Sequence, residues 1–330
     1  MEINKPAGVV LQLTKKCNYR CRHCSQNSFW ENDQNEELNT ENWKQIIDKV
    51  KSTGSEGVLF SGGEVFLRSD IRKLSEYAKK IGLNVDYITN GSLLEENKSW
   101  IKTINPDSIR ISIYSIHKDN YEAISGIKNS FINVLQTIKN MMKENFNIII
   151  YFVLTNYNYT EIDKLVHELY KYNIKKFRFL QLAPTGRAKS IVDNSICLEN
   201  FIQFWDDATD LKHELKDIDI KIALTPKLFN YVNEKTKIKK QTFTCKLGIE
   251  NNWFINFKGE MFTCCILAND SKLKIFNTLS TDFNDWAKWK NNKVRNLYIN
   301  QNYNTACEYL NDVIKVNANK NICQLSFVNL

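Results

Sequence analysis

From residue 8 onward, short apolar runs alternate with longer stretches in which apolar residues recur about every 3.6 positions. Gly8–Thr14, Gly57–Phe60, Val85–Ile88, Ser108–Ser115, Ile148–Leu154 and Lys176–Leu180 read as strands, the fourth alternating with polar residues. Thr40–Ser52, Ile132–Met142 and Ile162–Tyr172 read as amphipathic helices between them. Strands and helices in this rhythm imply βαβ units, a parallel sheet and an α/β class. Several runs end in polar motifs: Ser61-Gly62-Gly63-Glu64, Thr89-Asn90-Gly91, and Thr185-Gly186-Arg187. In barrels of parallel strands, chemistry gathers at those C-terminal ends.

The rhythm changes near residue 188. Residues 188–244 carry a mixed helical pattern with little Gly or Pro and read as a bridge between a core at 1–187 and a smaller α+β part at 245–330. In that last part, Trp253–Phe257 and Glu260–Thr263 flank Lys258-Gly259 as a β-hairpin. With 43% hydrophobic residues the chain can bury a full core. No apolar run approaches the ~18 residues of a membrane span, so no membrane association is expected. The net charge of +8 comes from scattered lysines, densest at Lys237–Lys240, which reads as a solvated surface and not a nucleic-acid groove. Met1–Lys5 lacks a signal-peptide run, and nine cysteines without one point to a reducing cytoplasm where thiols serve metals or chemistry.

Three of those cysteines change the picture most. Cys17, Cys21 and Cys24 stand four and three residues apart in one loop after the first strand. That is too tight for paired disulfides and one ligand short of a closed zinc site. It suits a 4Fe–4S cluster held by three thiolates with one iron left open. The arrangement, with His23 as an aromatic ring before the last cysteine, resembles the signature of the radical S-adenosylmethionine (SAM) superfamily. The resemblance implies an open partial (β/α)6 barrel. It also implies that SAM chelates the open iron and is cleaved by one electron to a 5′-deoxyadenosyl radical that takes hydrogen from a substrate. By the same resemblance, Gly62, Gly63 and Glu64 receive the SAM amino group, although Val65 stands where the family usually has proline. Ser112 and Ser115 correspond to polar contacts to the SAM ribose and carboxylate, and His23 to a ring stacked on adenine. Strand-end hydroxyls and loop packing are the plainer readings of these three. His117, His167 and His213 read as structural, while Tyr114, Tyr151, Gln181 and Arg187 are cavity candidates by their places at or near strand ends.

The hairpin also resembles part of this superfamily, the opening half of its C-terminal SPASM/Twitch extension. Cys245 precedes Gly259 by thirteen intervening residues, and Cys264 follows it after four; Ile275-Phe276-Asn277 and Trp286–Trp289 continue that layout. A second cysteine of a CxxC from Cys307 would fall at Leu310, so the shorter Twitch form, with one auxiliary 4Fe–4S cluster, matches better. Its ligand set is Cys245, Cys264, Cys307 and Cys323, with Cys265 an alternative to Cys264 and structural zinc an alternative to the cluster. Cys197 and Cys265 remain over. They are either small apolar packing groups or donors of a hydrogen atom to a substrate radical. The implied activity is modification of a ribosomally made peptide, by thioether or carbon–carbon crosslink or by epimerisation. The alternative is dehydrogenation of a small-molecule alcohol such as an amino sugar. Few residues precede the first strand, so no N-terminal leader-binding domain is expected. A one-electron donor such as flavodoxin or ferredoxin is an implied partner.

Overall fold

A computed structural model describes residues 8–31, 36–183, 185–223, 252–262, 264–266, 268, 271 and 274–281. The order is β1 (Gly8–Gln12), α1 (Thr40–Ser52), β2 (Gly57–Ser61), α2 (Ile71–Lys80), β3 (Asn84–Thr89), α3 (Leu94–Ile104) and β4 (Ser108–Ile113). There follow α4 (Lys118–Ser125), α5 (Ser130–Lys143), β5 (Ile148–Leu154), α6 (Ile162–Tyr170), β6 (Lys176–Gln181), α7 (Leu198–Glu214) and β7 (Asp219–Ala223). Strands β8 (Asn252–Ile255), β9 (Glu260–Phe262) and β10 (Phe276–Asn277) complete the series. All ten strands lie in one sheet of order β10-β9-β8-β1-β2-β3-β4-β5-β6-β7. Neighbours from β1 to β7 pair in parallel, each crossing through a helix. Among the described residues, strands β10 and β7 are its two edges and the sheet is open.

Alternation decides which face packs. Ile109, Ile111 and Ile113 of β4, Ile150, Phe152 and Leu154 of β5, and Phe177 and Phe179 of β6 are fully or almost fully buried. They join one core with Ile46, Leu74, Ile101, Ile138, Leu165 and Phe204 from the helices. Each such side chain contributes about 1.5–3 kcal/mol by leaving water, and a one-residue slip would expose them together. The intervening residues are half-buried and mixed, with Arg110, Ser112, Tyr151 and Arg178 polar and Ile149, Val153 and Leu180 apolar. On this inner face Arg110 bridges three strands, reaching Asp86 Oδ2 at 3.2 Å and donating to Tyr151 Oη at 2.9 Å. Arg178 reaches Asp219 Oδ2 at 2.6 Å.

Local chemistry sets the element ends. The Asn39 side chain accepts from Asn42 N at 2.9 Å and starts α1, whose Trp43, Ile46, Ile47 and Val50 form one buried stripe. Near its end, Lys49 Nζ donates to the carbonyls of Thr278, Leu279 and Thr281 at 2.6–3.1 Å and ties α1 to the segment after β10.

The parallel α/β series agrees with the expected core, with two additions. Residues 219–223, inside the stretch read as a helical bridge, form β7; five residues with two isoleucines are too short a pattern to stand out in sequence. The 252–262 segment is the expected hairpin, antiparallel between β8 and β9, but β8 also pairs in parallel with β1, so the hairpin extends the core sheet. Cys245, Cys307, Cys323, Lys237–Lys240 and Trp286–Trp289 lie outside the described residues. No described helix is long and apolar enough to cross a membrane.

Candidate active site

The cysteine loop leaves β1 and is fastened by four other segments, all beyond the C-terminal ends of strands or at a helix end. Ser61–Glu64 extends the β1–β2 ladder: Gly63 N donates to Thr14 O at 2.7 Å and Glu64 N to Lys16 O at 2.8 Å. The glycines permit that approach. A Cβ on Gly63 would lie 2.2 Å from Lys16 O, and one on Gly62 would lie 2.9 Å from Thr14 O. The close backbone contact expected of Gly62 and Gly63 is thus made to the base of the cysteine loop. The end of α4 supplies a second fastening, with Arg20 N and Arg22 N donating to Ser125 O and Ile124 O at 3.0 and 2.9 Å.

The turn after β3 is the third. Asn90 Nδ2 donates to Asn18 Oδ1 at 2.9 Å, and Asn18 Nδ2 donates to Ser92 Oγ at 2.9 Å. The fourth is Thr185-Gly186-Arg187 after β6. Arg187 N donates to Cys24 O at 3.0 Å, while its guanidinium donates to Cys21 O and Ser28 O, both at 2.8 Å. Gly186 has φ +58°, and a Cβ there would come within 2.5 Å of Ser25 O. Arg187, a cavity candidate by position, is a clamp on the loop. The Thr-Gly-Arg spacing signals a tight turn in sequence, but not what the turn grips.

Two thiols of the loop face a backbone hydrogen-bond donor. Tyr19 N lies 3.4 Å from Cys17 Sγ, and Ser28 N lies 3.4 Å from Cys24 Sγ. Asn90 Nδ2 is 4.0 Å from Cys17 Sγ. Burial pushes the Cys17 thiol up strongly and the Cys21 thiol to about 12, so both stay protonated until a metal displaces the proton. Three thiols on one clamped loop, two of them facing a backbone N–H that stabilises charge on sulfur, fit a three-cysteine 4Fe–4S cluster. When bound, that cluster supplies one-electron chemistry to SAM at its open iron.

Glu64 is fully buried, and its carboxylate is already engaged. Oε1 accepts from Phe66 N at 3.1 Å and Thr89 Oγ1 at 2.8 Å, and Oε2 accepts from Asn90 N at 2.8 Å. It joins the ends of β2 and β3, a role that a Gly-Gly-Glu string does not reveal. Burial raises it to about 7 despite those donors. A raised folded-state value means that its contribution to stability is full below its unfolded value of 4.5 and is lost as pH rises through about 7. Thermal melts of the metal-free protein across pH 4 to 8 should show this decline, and Glu64→Gln should flatten it; identical pH profiles would exclude Glu64 as its source.

The remaining expected residues are placed as follows. His23 is half-buried and packs edge-on against Tyr114 with ring centroids 4.8 Å apart; burial, then the nearby Arg187 charge, pushes it down to about 4. Ser115 is buried and donates to Glu161 Oε2 at 2.6 Å while accepting from His117 N at 2.9 Å. Ser112 lies on the inner face of β4, paired in register with Tyr151. Gln181 ends β6. His167 bridges Asp163 and Glu214 between α6 and α7, a structural role. Cys197 precedes α7, its N–H donating to Asn156 Oδ1 at 2.7 Å just beyond β5. Cys265 is exposed beside half-buried Cys264, and its carbonyl accepts from Gln26 Nε2 at 2.9 Å, so the turn after β9 lies against the cysteine loop.

A family profile described as the Radical SAM superfamily matches residues 11–169. A Fe-coproporphyrin III synthase of Methanosarcina barkeri (strain Fusaro / DSM 804) is 30% identical over 59% of this chain and 49% of its own. An AdoMet-dependent heme synthase of the same organism is 25% identical over 79% of this chain and 77% of its own. The chain therefore spans about half the length of the first of these relatives. Among solved structures, Streptococcus suis SuiB bound to S-adenosylmethionine superposes with TM-score 0.71 at 17% identity, over 86% of this chain and 66% of that one. The enzyme anSMEcpe with bound AdoMet gives TM-score 0.66 at 16% identity, over 88% and 81%. At these identities the solved structures establish likeness of fold. With the clamped three-thiol loop at the mouth of an open parallel sheet and the profile match in agreement, residues 11–169 are a radical SAM domain.

Proposed function

We propose that this chain is an enzyme that reductively cleaves SAM at a 4Fe–4S cluster on Cys17, Cys21 and Cys24 and uses the resulting radical to abstract hydrogen from a ribosomally made peptide. The observation that carries the peptide reading is the β8–β9 hairpin, which extends the core sheet beside β1 and brings the Cys264-Cys265 turn against the cysteine loop through Gln26. The SuiB fold, which includes a structure bound to the precursor peptide SuiA, overlays 86% of the chain, and an anSMEcpe structure holds the Cp18Cys peptide. In this reading the backbone of Gly62 and Gly63 and the half-buried His23 flank the SAM position, and Glu64 holds the loops that shape it. Cys264 joins Cys245, Cys307 and Cys323 as ligand of one auxiliary 4Fe–4S cluster. If the product is an inverted residue, Cys265 or Cys197 donates the final hydrogen atom, and alanine at the donor leaves SAM cleavage intact while abolishing inversion. A one-electron donor protein supplies the electron.

A second reading, side-chain chemistry on a tetrapyrrole, is favoured by the two curated relatives and their names. One experiment separates them. Anaerobically reconstituted enzyme, SAM and a strong reductant are incubated in deuterated water with the short peptide encoded beside its gene, or with an iron coproporphyrin. A peptide change of about two hydrogens lost means crosslinking or oxidation, and about one mass unit gained means inversion with solvent hydrogen. An unchanged peptide beside an altered porphyrin would overturn the peptide reading.

A further inference from the structure

On the inner face of the sheet, Tyr151 of β5 stands in register with Ser112 of β4 and is half-buried. Its level on the sheet is two residues, about 7 Å, below Tyr114, whose ring packs on His23 of the cysteine loop. Tyr77, Tyr87, Tyr170 and Tyr172 each donate their hydroxyl hydrogen to an acceptor of the protein, at 2.6–3.3 Å. The Tyr151 hydroxyl instead accepts, from Arg110 Nη1 at 2.9 Å, and its own hydrogen has no acceptor among the described residues. Arg110 is oriented by Asp86, whose Oδ2 accepts from Nη2 at 3.2 Å and whose Oδ1 accepts from Ser108 Oγ at 2.6 Å. The guanidinium Nε is buried with no partner among the described residues. Charge on this face is also unequal. From β3 to β7, alternation sets Arg110, Lys176, Arg178 and Lys221 beside Asp86 and Asp219, an excess of cations.

We propose that Tyr151 and Arg110 form an anchor for a carboxylate of the substrate, the tyrosine donating its hydroxyl hydrogen and the arginine supplying positive charge. The anchor rests on the enzyme reading above and names the group by which that enzyme holds its substrate. A phenol that accepts from a guanidinium is polarised toward donation, and an anionic acceptor gains most from it. The hydroxyl offers a hydrogen and the surrounding charge is positive, so the site suits an anion better than a cation. A carboxylate bound there completes the chain that begins at Asp86 and runs through Arg110 to Tyr151. From that level the rest of the substrate extends toward the cysteine loop, where hydrogen is abstracted. The tyrosine binds and keeps its proton, so no bond to hydrogen breaks at this residue.

The test is calorimetric binding to the anaerobically reconstituted full-length enzyme, with SAM and no reductant. Two pairs of probes are used: iron coproporphyrin and its methyl ester, and the short peptide encoded beside the gene with its carboxyl groups free or esterified. The wild type should bind the acid of at least one pair about tenfold or more tighter than the ester, as expected for a hydrogen bond to a charged group. Tyr151→Phe keeps the ring and removes the hydrogen, so most of that preference should vanish while ester binding stays the same. Arg110→Gln should reduce the preference too, and Tyr157→Phe, at an exposed tyrosine, should keep it. A preference confined to the porphyrin pair assigns a tetrapyrrole carboxylate, and one confined to the peptide pair a peptide carboxylate. Wild type that binds neither acid, or binds acid and ester alike, would overturn the proposal. So would a full preference in Tyr151→Phe, or equal weakening of acid and ester, which would assign the effect to packing. Should Tyr151→Phe fail to fold by circular dichroism, a full preference in Arg110→Gln overturns it. A wild-type protein with the preference but no iron–sulfur cluster would refute the underlying enzyme reading instead.

Discussion

Replacing Cys21 with alanine is expected to remove the iron and brown absorbance of the first cluster, leaving those of the proposed auxiliary cluster, and to reduce SAM cleavage to background. Removing an outer-shell partner of a metal site costs about 10–100-fold, so loss of one of three direct ligands should exceed about 100-fold. The fold should survive, because the loop is held by Arg187, Gly63 N, Glu64 N and the amides of Arg20 and Arg22, none of which depends on the Cys21 side chain. Iron content and visible absorbance are the first measurements, with circular dichroism as a check on folding. Cys197→Ala is the matched control, since that thiol sits before α7 and outside the loop. It should keep the iron of the first cluster. Equal loss from both variants would mean that thiol removal acts through the fold.

The second large effect is expected at Gly63. Alanine there would place a Cβ 2.2 Å from the carbonyl oxygen of Lys16, a backbone atom that no side-chain rotation can move. Either the Gly63–Thr14 and Glu64–Lys16 hydrogen bonds break or the cysteine loop shifts away from β2. Forced overpacking typically costs about 1–3 kcal/mol, and this rigid contact belongs at the upper end. A fall in Tm of roughly 5 °C or more should accompany a sharp loss of cluster occupancy, because the same carbonyl lies one residue before Cys17. Gly186→Ala should act alike from the opposite side, where its positive φ and the Ser25 carbonyl both exclude a side chain. A Gly63→Ala protein with unchanged Tm and full iron content would contradict this account of the motif.

Sequence pattern made the core legible because its strands are short, apolar and separated by amphipathic helices. α1 spans Thr40–Ser52, the range its sequence pattern predicts. The thiol loop was legible for another reason: three cysteines at such spacing have few chemical uses. The connections between motifs were not. Nothing local in Thr-Gly-Arg says that Arg187 will hold carbonyls of residues 21 and 28, because that contact depends on how β1 and β6 curve across the open sheet. The structural partners of Glu64 and Ser115 were hidden in a similar way. Each resembles a ligand contact along the chain, and in the fold Glu64 also joins the ends of β2 and β3 while Ser115 joins the end of β4 to Glu161 at the start of α6. The parallel pairing of β8 with β1 depends on contacts more than 240 positions apart, beyond the reach of local periodicity.

The most direct test of the central claim is the anaerobic reaction of the reconstituted wild-type enzyme with SAM and a strong reductant, without any substrate, read by chromatography for 5′-deoxyadenosine and methionine. The account predicts both products in equal amounts, dependent on reductant and absent from the Cys21→Ala protein. A fully loaded, reducible cluster that leaves SAM intact would contradict it.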